Sequence, residues 1–324
     1  YSDYTNNGII SGTGANRAGV ILSVINTPTY APIWDPDNPG QYYDNFYGAQ
    51  VTTPAENMSR TENNRNSNNR LVGSISGEVT FSPYLKYQPM LSIDRLNTHY
   101  TSFLDPIKTS WGRTNYGNAS DNRSMNTIMV FDNIFTYNRS YDKHNLSAMA
   151  GTSWTTSDWS QSYMTASHFL DGSIMTLNAG NKVEQWSGTS SSHWAIMSYL
   201  GRLSYNFNSK YYLTANFRAD GSSKLAPGNK WGYFPSFSAA WRISAEPFMQ
   251  DVKWIKDLKM RGGWGQTGNQ SGIGDYSYLQ LYDIVRQNWW ETGMINALPT
   301  LVPTNMKNPD LTWETTSQSN LGFD

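Results

Sequence analysis

Two short stretches carry residue types that can do chemistry. Gly263-Trp264-Gly265-Gln266-Thr267-Gly268 matches the G-x-G-x-x-G of dinucleotide sites. Such a site needs a helix to follow, so that its N-terminus holds a pyrophosphate, and an acidic residue about 20 positions on. Asn269-Gln270-Ser271-Gly272 follows instead and cannot start a helix, so the segment reads as a strand entering a glycine-rich loop. Asp35-Pro36-Asp37-Asn38-Pro39-Gly40 resembles the opening of a calcium loop, but Pro39 occupies a ligand position and Phe46 stands where the bidentate Glu belongs. An ordinary turn explains it better. As a glycosidase pair, Asp35 and Asp37 have no acid/base partner that the pattern identifies. The chain contains no Cys, which removes thiolate metal sites, disulfides and cysteine nucleophiles. No G-x-S-x-G, H-E-x-x-H or Walker pattern occurs, so neither a catalytic constellation nor a cofactor or metal site emerges and the reading is of a protein that is not an enzyme.

Polar and aromatic residues must then work by position. Lys plus Arg number 24 and Asp plus Glu 25, a net charge of -1, so no positive field draws nucleic acid. Only 38% of residues are hydrophobic while 14% are aromatic, and the mean hydropathy is -0.59. The longest uncharged apolar run, 18–25, is far short of the roughly 20 residues of a membrane-spanning helix. A closed β-barrel is the other solution for crossing a bilayer, and its alternating strands keep the overall hydropathy low. The first residues, 1–5, lack a signal peptide's features. Both ends read as cuts from a longer protein.

Alternation of apolar and polar residues dominates from residue 69 onward. Leu71, Gly73, Ile75, Gly77, Val79 and Phe81 alternate with mostly polar neighbours, and Leu85, Tyr87, Pro89, Leu91 and Ile93 follow after a short break. The pattern returns over 123–137, 144–160, 193–207, 210–219, 236–243, 258–264 and 311–323, giving about nine strands. Turns at 82–84, 138–143 and 207–210 are tight, whereas 97–122, 161–192 and 267–310 read as long loops; 220–231 is intermediate and 244–256 is a longer turn with a short helix. Long loops on one end and short turns on the other is the habit of outer-membrane barrels. The first 68 residues read as one long external excursion with a short amphipathic helix over 16–25, and 69–324 as barrel strands and loops.

Two sets of residues follow as candidates. Arg202, Arg218, Asp220, Arg242, Lys259 and Arg261 fall on the polar side of alternating strands. In a barrel they must face the lumen, because a cation facing lipid at the midplane costs roughly 2–4 kcal/mol; in a soluble sandwich they would face solvent. Trp111, Trp154, Trp159, Trp289 and Trp290 lie in or beside the long loops, where flat rings suit stacking on sugars or a partner protein, or anchoring their own loop. Trp289 and Trp290 are the foremost of these. Aromatic residues at strand ends, among them Phe81, Tyr87, Phe207, Tyr211, Phe234 and Trp241, suit either interface girdles or packing between sheets.

The stretches FRADGSSK, NKWGYFPSFSAAWRIS, LKMRGGWGQTGNQ and NPDLTWETTSQSNLGFD, specific in combination, closely resemble the barrel of SusC/RagA-type TonB-dependent outer-membrane transporters. The looser NRLVGSISGEVTF and DKHNLSAMAG segments fit the same family, so the resemblance covers nearly all of the chain. It implies an all-β, antiparallel transmembrane β-barrel, 22-stranded and plugged, with long extracellular loops; about nine strands make an arc of that wall. It also implies import of large nutrients, oligosaccharides or peptides, across the outer membrane of a Gram-negative bacterium. The implied partners are a SusD-like surface lipoprotein, the TonB complex and membrane lipid, with homodimers of transporter–lipoprotein pairs compatible with it. On that resemblance, Arg218, Asp220, Gly221, Trp231, Pro235, Trp241, Arg242, Gly265, Gln266 and Gly268 are architectural rather than substrate ligands. Two alternatives from other classes stay open on the residues alone: a secreted β-rich carbohydrate-binding or adhesion protein, and a glycoside hydrolase.

Overall fold

The computed structural model of the chain describes residues 2–6, 20–46, 49–50, 52–249, 251–252, 254–286 and 299–324. In chain order its elements are β1 (Ser2–Asn6), α1 (Val20–Asn26), β2 (Asn45–Phe46), β3 (Ala49–Gln50), α2 (Pro54–Glu62), β4 (Arg65–Ser76), β5 (Val79–Ser82), β6 (Leu85–Leu104), α3 (Ser110–Asn115), β7 (Asn118–Tyr141) and β8 (His144–Ser167). They continue with β9 (Trp186–Phe207), β10 (Tyr211–Ser222), β11 (Trp231–Arg242), β12 (Lys259–Asn269), β13 (Tyr282–Arg286), β14 (Pro299–Pro303) and β15 (Glu314–Phe323). An 11-stranded sheet runs β1-β4-β6-β7-β8-β9-β10-β11-β12-β15, with β5 also paired to β6; β13–β14 and β2–β3 are separate hairpins. The printed pairings are antiparallel. Among the described residues no pairing joins β1 to β15, so the sheet has two ends.

Where connections are tight, sequence neighbours pair because the short turn leaves no alternative. At 208–210 the chain reverses with Asn208 and Ser209 both left-handed (φ 52° and 53°), and the Ser209 N–H donates to the Asn206 side chain at 2.9 Å, the local bond that lets short polar residues tolerate this conformation. The stretch 71–81 is two strands: the chain breaks at Gly77 and Glu78, where the Gly77 N–H still donates to Pro89 O. Glu78 there accepts from Lys86 Nζ at 2.7 Å and Gln88 Nε2 at 2.9 Å.

The strands are longer than alternation predicts. β6, β7, β8 and β9 run 20, 24, 24 and 22 residues, so the expected loops 97–122 and 161–192 shrink to 105–117 and 168–185. The added stretches are rich in Ser, Thr and Asn and carry no hydrophobic rhythm, yet ladder hydrogen bonds need only backbone. The helix expected over 16–25 is found as α1 at Val20–Asn26, with 16–19 outside the described residues. The expected short helix within 244–256 is a pair of 3-10 turns, Ile243–Ala245 and Pro247–Met249. The first 68 residues also hold β1, which pairs with β4 from Ser2↔Arg70 to Asn6↔Asn66.

The chain divides into two compact units, residues 1–72, 94–127 and 158–192, and residues 73–93, 128–157 and 193–324. In the first, Phe103, Ala119, Ala166 and Phe169 form a small core capped by Leu177 and Ala179, with the Phe103 and Phe169 rings edge-to-face at 5.2 Å. The connections fold onto it: the Phe169 N–H donates to Tyr116 O, and the Asn181 N–H to Ser167 O. In the second unit, Leu225 and Ala226 of the β10–β11 connection are fully buried, and Trp313 closes that connection by donating Nε1–H to Lys230 O at 2.9 Å.

Gly268 ends the second unit's glycine-rich stretch inside β12, and a Cβ there would overlap the Phe234 ring. Gly268→Ala is expected to lower stability by roughly 1–3 kcal/mol, as overpacking does, in urea unfolding of the purified protein. Phe234→Leu in the same background is expected to recover part of that loss.

Candidate functional site

The two faces of the sheet in the second unit follow from its register. Tyr212, Thr214, Asn216, Arg218 and Asp220 of β10 stand opposite Asn206, Ser204, Arg202, Leu200 and Ser198 of β9. On the other side Thr214 and Asn216 face Ser238 and Ser236 of β11, while Ala240 and Arg242 face Arg261 and Lys259 of β12. Arg261, Gly263, Gly265 and Thr267 then meet Gly322, Asn320, Gln318 and Thr316 of β15. All six charged candidates therefore share one face, since side chains two apart on a strand point the same way.

Each of them is held by a neighbour. Arg202 Nε donates to Asn216 Oδ1 at 2.7 Å, and Asn216 Nδ2 to Ser236 Oγ at 3.0 Å, a chain across three strands. Arg218 Nε lies 2.8 and 2.7 Å from the two Asp220 oxygens, and its Nη2 donates to Ser198 Oγ at 3.2 Å. Arg242 holds Asp257 through Nε at 2.8 Å and Nη2 at 3.1 Å, and Ser244 Oγ donates to the same carboxylate. Lys259 Nζ sits 4.6 Å from the centre of the Tyr212 ring, and Arg261 Nη2 lies 3.2 Å from Asp324. Hydroxyls and amides fill the space between. The arrangement donates and accepts hydrogen bonds over a broad surface; it pairs no nucleophile with a base.

The opposite face is apolar. Along β10 it carries Tyr211, Leu213, Ala215 and Phe217, beside Leu203 and Tyr199 of β9 and Trp241, Ala239, Phe237 and Tyr233 of β11. Leu213, Phe217, Phe237 and Leu321 keep 55%, 49%, 56% and 68% of their surface accessible. The rings pair along it: Phe207 with Tyr211 at 6.3 Å, Phe237 with Trp264 at 6.3 Å, and Tyr199 with Trp231 at 5.7 Å.

The tryptophan candidates fare differently. Trp111 is on α3, 39% exposed, and lines a recess of about 350 Å³ with Tyr100, Phe103 and Asn118. Trp159 lies within β8 and is half-buried, because 161–167 continue that strand; Trp154, also in β8, is exposed. Trp289 and Trp290 fall outside the described residues. Trp111 and Trp159 belong to the first unit and the six charged residues to the second. Of the motifs weighed for chemistry, the 263–268 glycines lie inside β12 with turns, not a helix, after it. Asp35 accepts from the Asp37 N–H at 3.0 Å and Asn38 Nδ2 at 2.9 Å, an Asx turn. No group of three or more metal-ligating side chains gathers among the described residues.

Glu246 is a residue that alternation does not single out. Its Oε1 accepts from Tyr211 OH at 2.7 Å and Trp241 Nε1 at 3.1 Å, and Lys210 Nζ lies 3.1 Å from Oε2. It ties the start of β10 to the turn after β11, and only its neighbour Pro247 marks the place in the sequence as a turn. The Tyr211 hydroxyl first, then Trp241 and Lys210, hold its carboxyl below the ordinary value of 4.5.

Comparison with known proteins gives the following. No protein-family model matches the chain. A TonB-dependent receptor of Formosa agariphila is 30% identical over 82% of this chain and 25% of the receptor. The TonB-dependent receptor SusC of Bacteroides thetaiotaomicron is 38% identical over 40% of this chain and 13% of SusC. Among solved structures, the RagAB peptide transporter superposes with a TM-score of 0.74 and 24% identity, over 88% of this chain and 31% of that one. The chain thus spans about a quarter of the first curated relative's length.

A carboxyl whose value is lowered in the folded state contributes stability above its unfolded value and loses it as pH falls through the lower folded value. Acidification from about pH 7 to 3 is therefore expected to lower amide protection in the 243–249 turn, once corrected for intrinsic exchange chemistry. Glu246→Ala is expected to lower that protection already at neutral pH and to flatten the acid response, read by hydrogen exchange.

Proposed function

The chain belongs to the SusC/RagA-type TonB-dependent receptors, and from that premise we propose that its main sheet is a sector of a closed, 22-stranded, plugged transmembrane barrel importing large nutrients across the outer membrane. The strands of 69–324 form wall and loops; residues 1–68 form an external excursion, apart from β1, which joins the wall beside β4. The apolar face meets lipid. The face of Arg202, Arg218, Asp220, Arg242, Lys259 and Arg261 meets the lumen and plug. Oligosaccharide or peptide cargo, delivered under a SusD-like lipoprotein that meets Trp111, Trp159, Trp289 and Trp290, passes when the TonB complex displaces the plug. No covalent step is involved.

The observation that carries this reading is the exposed apolar face of β9 to β12. Its rung at Tyr211 and Trp241 is aromatic, its middle is Leu203, Leu213, Ala215, Ala239 and Phe237, and its far rungs, Ala219 with Tyr233 and Gly221 with Trp231, are aromatic again. From Tyr211 to Gly221 is ten steps of strand, about 33 Å at roughly 3.3 Å each. A barrel tilt of about 40° shortens that to about 25 Å, the height of the apolar band of such barrels with an aromatic girdle at each edge. At one edge Tyr211 and Trp241 turn their polar tips to Glu246, as rings at a water interface do.

Two measurements test this. The full-length product is expected in the outer-membrane fraction with heat-modifiable gel mobility; a folded, detergent-free soluble monomer would instead favour a secreted binding protein. Leu213→Arg, mid-strand on the lipid side, is expected to cost roughly 2–4 kcal/mol in lipid, whereas Thr214→Arg, on the lumen side, is expected to be nearly neutral. Equal costs for the two would overturn the assignment of faces.

A further inference from the structure

Glu56 lies on α2, outside the main strands, and is completely buried. Its Oε1 accepts two hydrogen bonds from Ser110, 54 residues away, one from the backbone N–H at 2.9 Å and one from the hydroxyl at 2.8 Å. Ser110 opens α3, whose cap is Thr109. Glu56 Oε2 is buried and has no partner among the described residues, and the same is true of Thr52 Oγ1 four positions earlier. A buried polar atom left in this way calls for a reason.

Its charged surroundings are sparse. Arg60 on α2 and Arg113 on α3 both favour the ionised form. Arg113 is engaged elsewhere: it pairs with Asp44 at 2.8 Å and donates to the carbonyls of Ile107 and Lys108. In the segment before α3, the Asp105 carboxylate is taken up by the N–H groups of Ile107 and Lys108, with Lys108 Nζ 4.0 Å away. α1, which packs on α2, is Val-Ile-Leu-Ser-Val-Ile-Asn and brings no titratable group. Burial raises the Glu56 carboxyl above its ordinary value, outweighing the Ser110 bonds and both arginines. Ionised, the side chain would leave one oxygen charged, buried and unpaired, which is far costlier than a neutral hydroxyl in the same place.

We propose that Glu56 is a pH-sensitive latch: in its neutral form it fastens α2 to the first turn of α3, and loss of its proton to solvent releases the two. The released segments are the one leading into β4 and the β6–β7 connection, so the latch governs the mobility of that connection. It is independent of the transport reading, since it is tested by exchange and not by uptake.

The sign follows from the direction of the shift. A carboxyl raised in the folded state stabilises the closed arrangement below its ordinary value of 4.5 and loses that contribution as pH climbs toward the folded value. In the full-length protein in detergent, amide protection over 54–62 and 109–113, corrected for intrinsic exchange chemistry, is expected to fall by up to about tenfold per pH unit above that point and then to level off. Glu56→Gln, neutral at every pH, is expected to stay protected throughout. A flat wild-type profile overturns the latch, and so does a Gln variant that is unprotected at all pH, which would make the ionised carboxylate the holding form. Should the Gln variant not fold, Ser110→Ala is expected to lower protection at the acid end while keeping the pH slope; unchanged acid-end protection would equally overturn it.

Discussion

A sheet with an oily face and a wet face must find an apolar medium for the first, and the rest of this molecule is arranged around that demand. In the second unit the oily face is not covered by a second layer of chain: Leu213, Phe217, Phe237 and Leu321 each keep about half or more of their surface accessible. Burying one such side chain is worth roughly 1.5–3 kcal/mol, so leaving a whole face of them in water would forgo more than the 5–15 kcal/mol by which a folded domain is stable. Exposed patches of that extent mark a surface that meets something else. In lipid, the backbone groups of each strand must be satisfied within the sheet, and long neighbouring antiparallel strands do that.

The same demand explains why the interior is thin. Among the described residues only eight hydrophobic side chains are buried, four of them in the first unit's Phe103 cluster. The remaining stability comes from ladders and from cross-strand side-chain chains such as Arg202–Asn216–Ser236. Where the chain leaves the sheet it is pinned locally. Lys224 spans from Asp275 at 2.8 Å to the Trp194 ring at 5.3 Å, and Ser222 Oγ donates to Gln270 at 2.6 Å. The FRADGSSK and GGWGQTGNQ stretches therefore meet through Ser222 and Gln270.

What the sequence made legible was set by period. In β10 and β11 every second residue changes character, so strand, face and the company of Arg218, Asp220 and Arg242 could be read directly. Over 97–104, 118–122, 161–167 and 186–192 Ser, Thr and Asn break the alternation although Phe103, Ala119 and Ala166 within them are buried, so strand reads as loop and Trp159 reads as standing beside one. The break at Gly77–Glu78 is hidden because alternation continues through it, and the bond from the Gly77 N–H to Pro89 O keeps the register that Val79 and Tyr87 resume. Glu246 and Glu56 were invisible for another cause: their partners Tyr211 and Ser110 are 35 and 54 residues away, and no local pattern encodes such a meeting.

The wet face carries its own logic. Arg218, Arg242 and Arg261 have carboxylate neighbours on or beside that face, whereas Arg202 and Lys259 have none among the described residues and rest on an amide and an aromatic ring. In an apolar core an unneutralised cation would be intolerable; beside water it is cheap, and exposed pairs there contribute about 1 kcal/mol or less. Charge is thus distributed on this face without regard to pairing, which a surface can do only if water reaches it. The apolar side, along β10 and β11, places Tyr and Trp where it ends and Leu, Ala, Pro and Phe between. In the proposed barrel one sheet separates two solvents, and the identities of its side chains follow from which solvent each one meets.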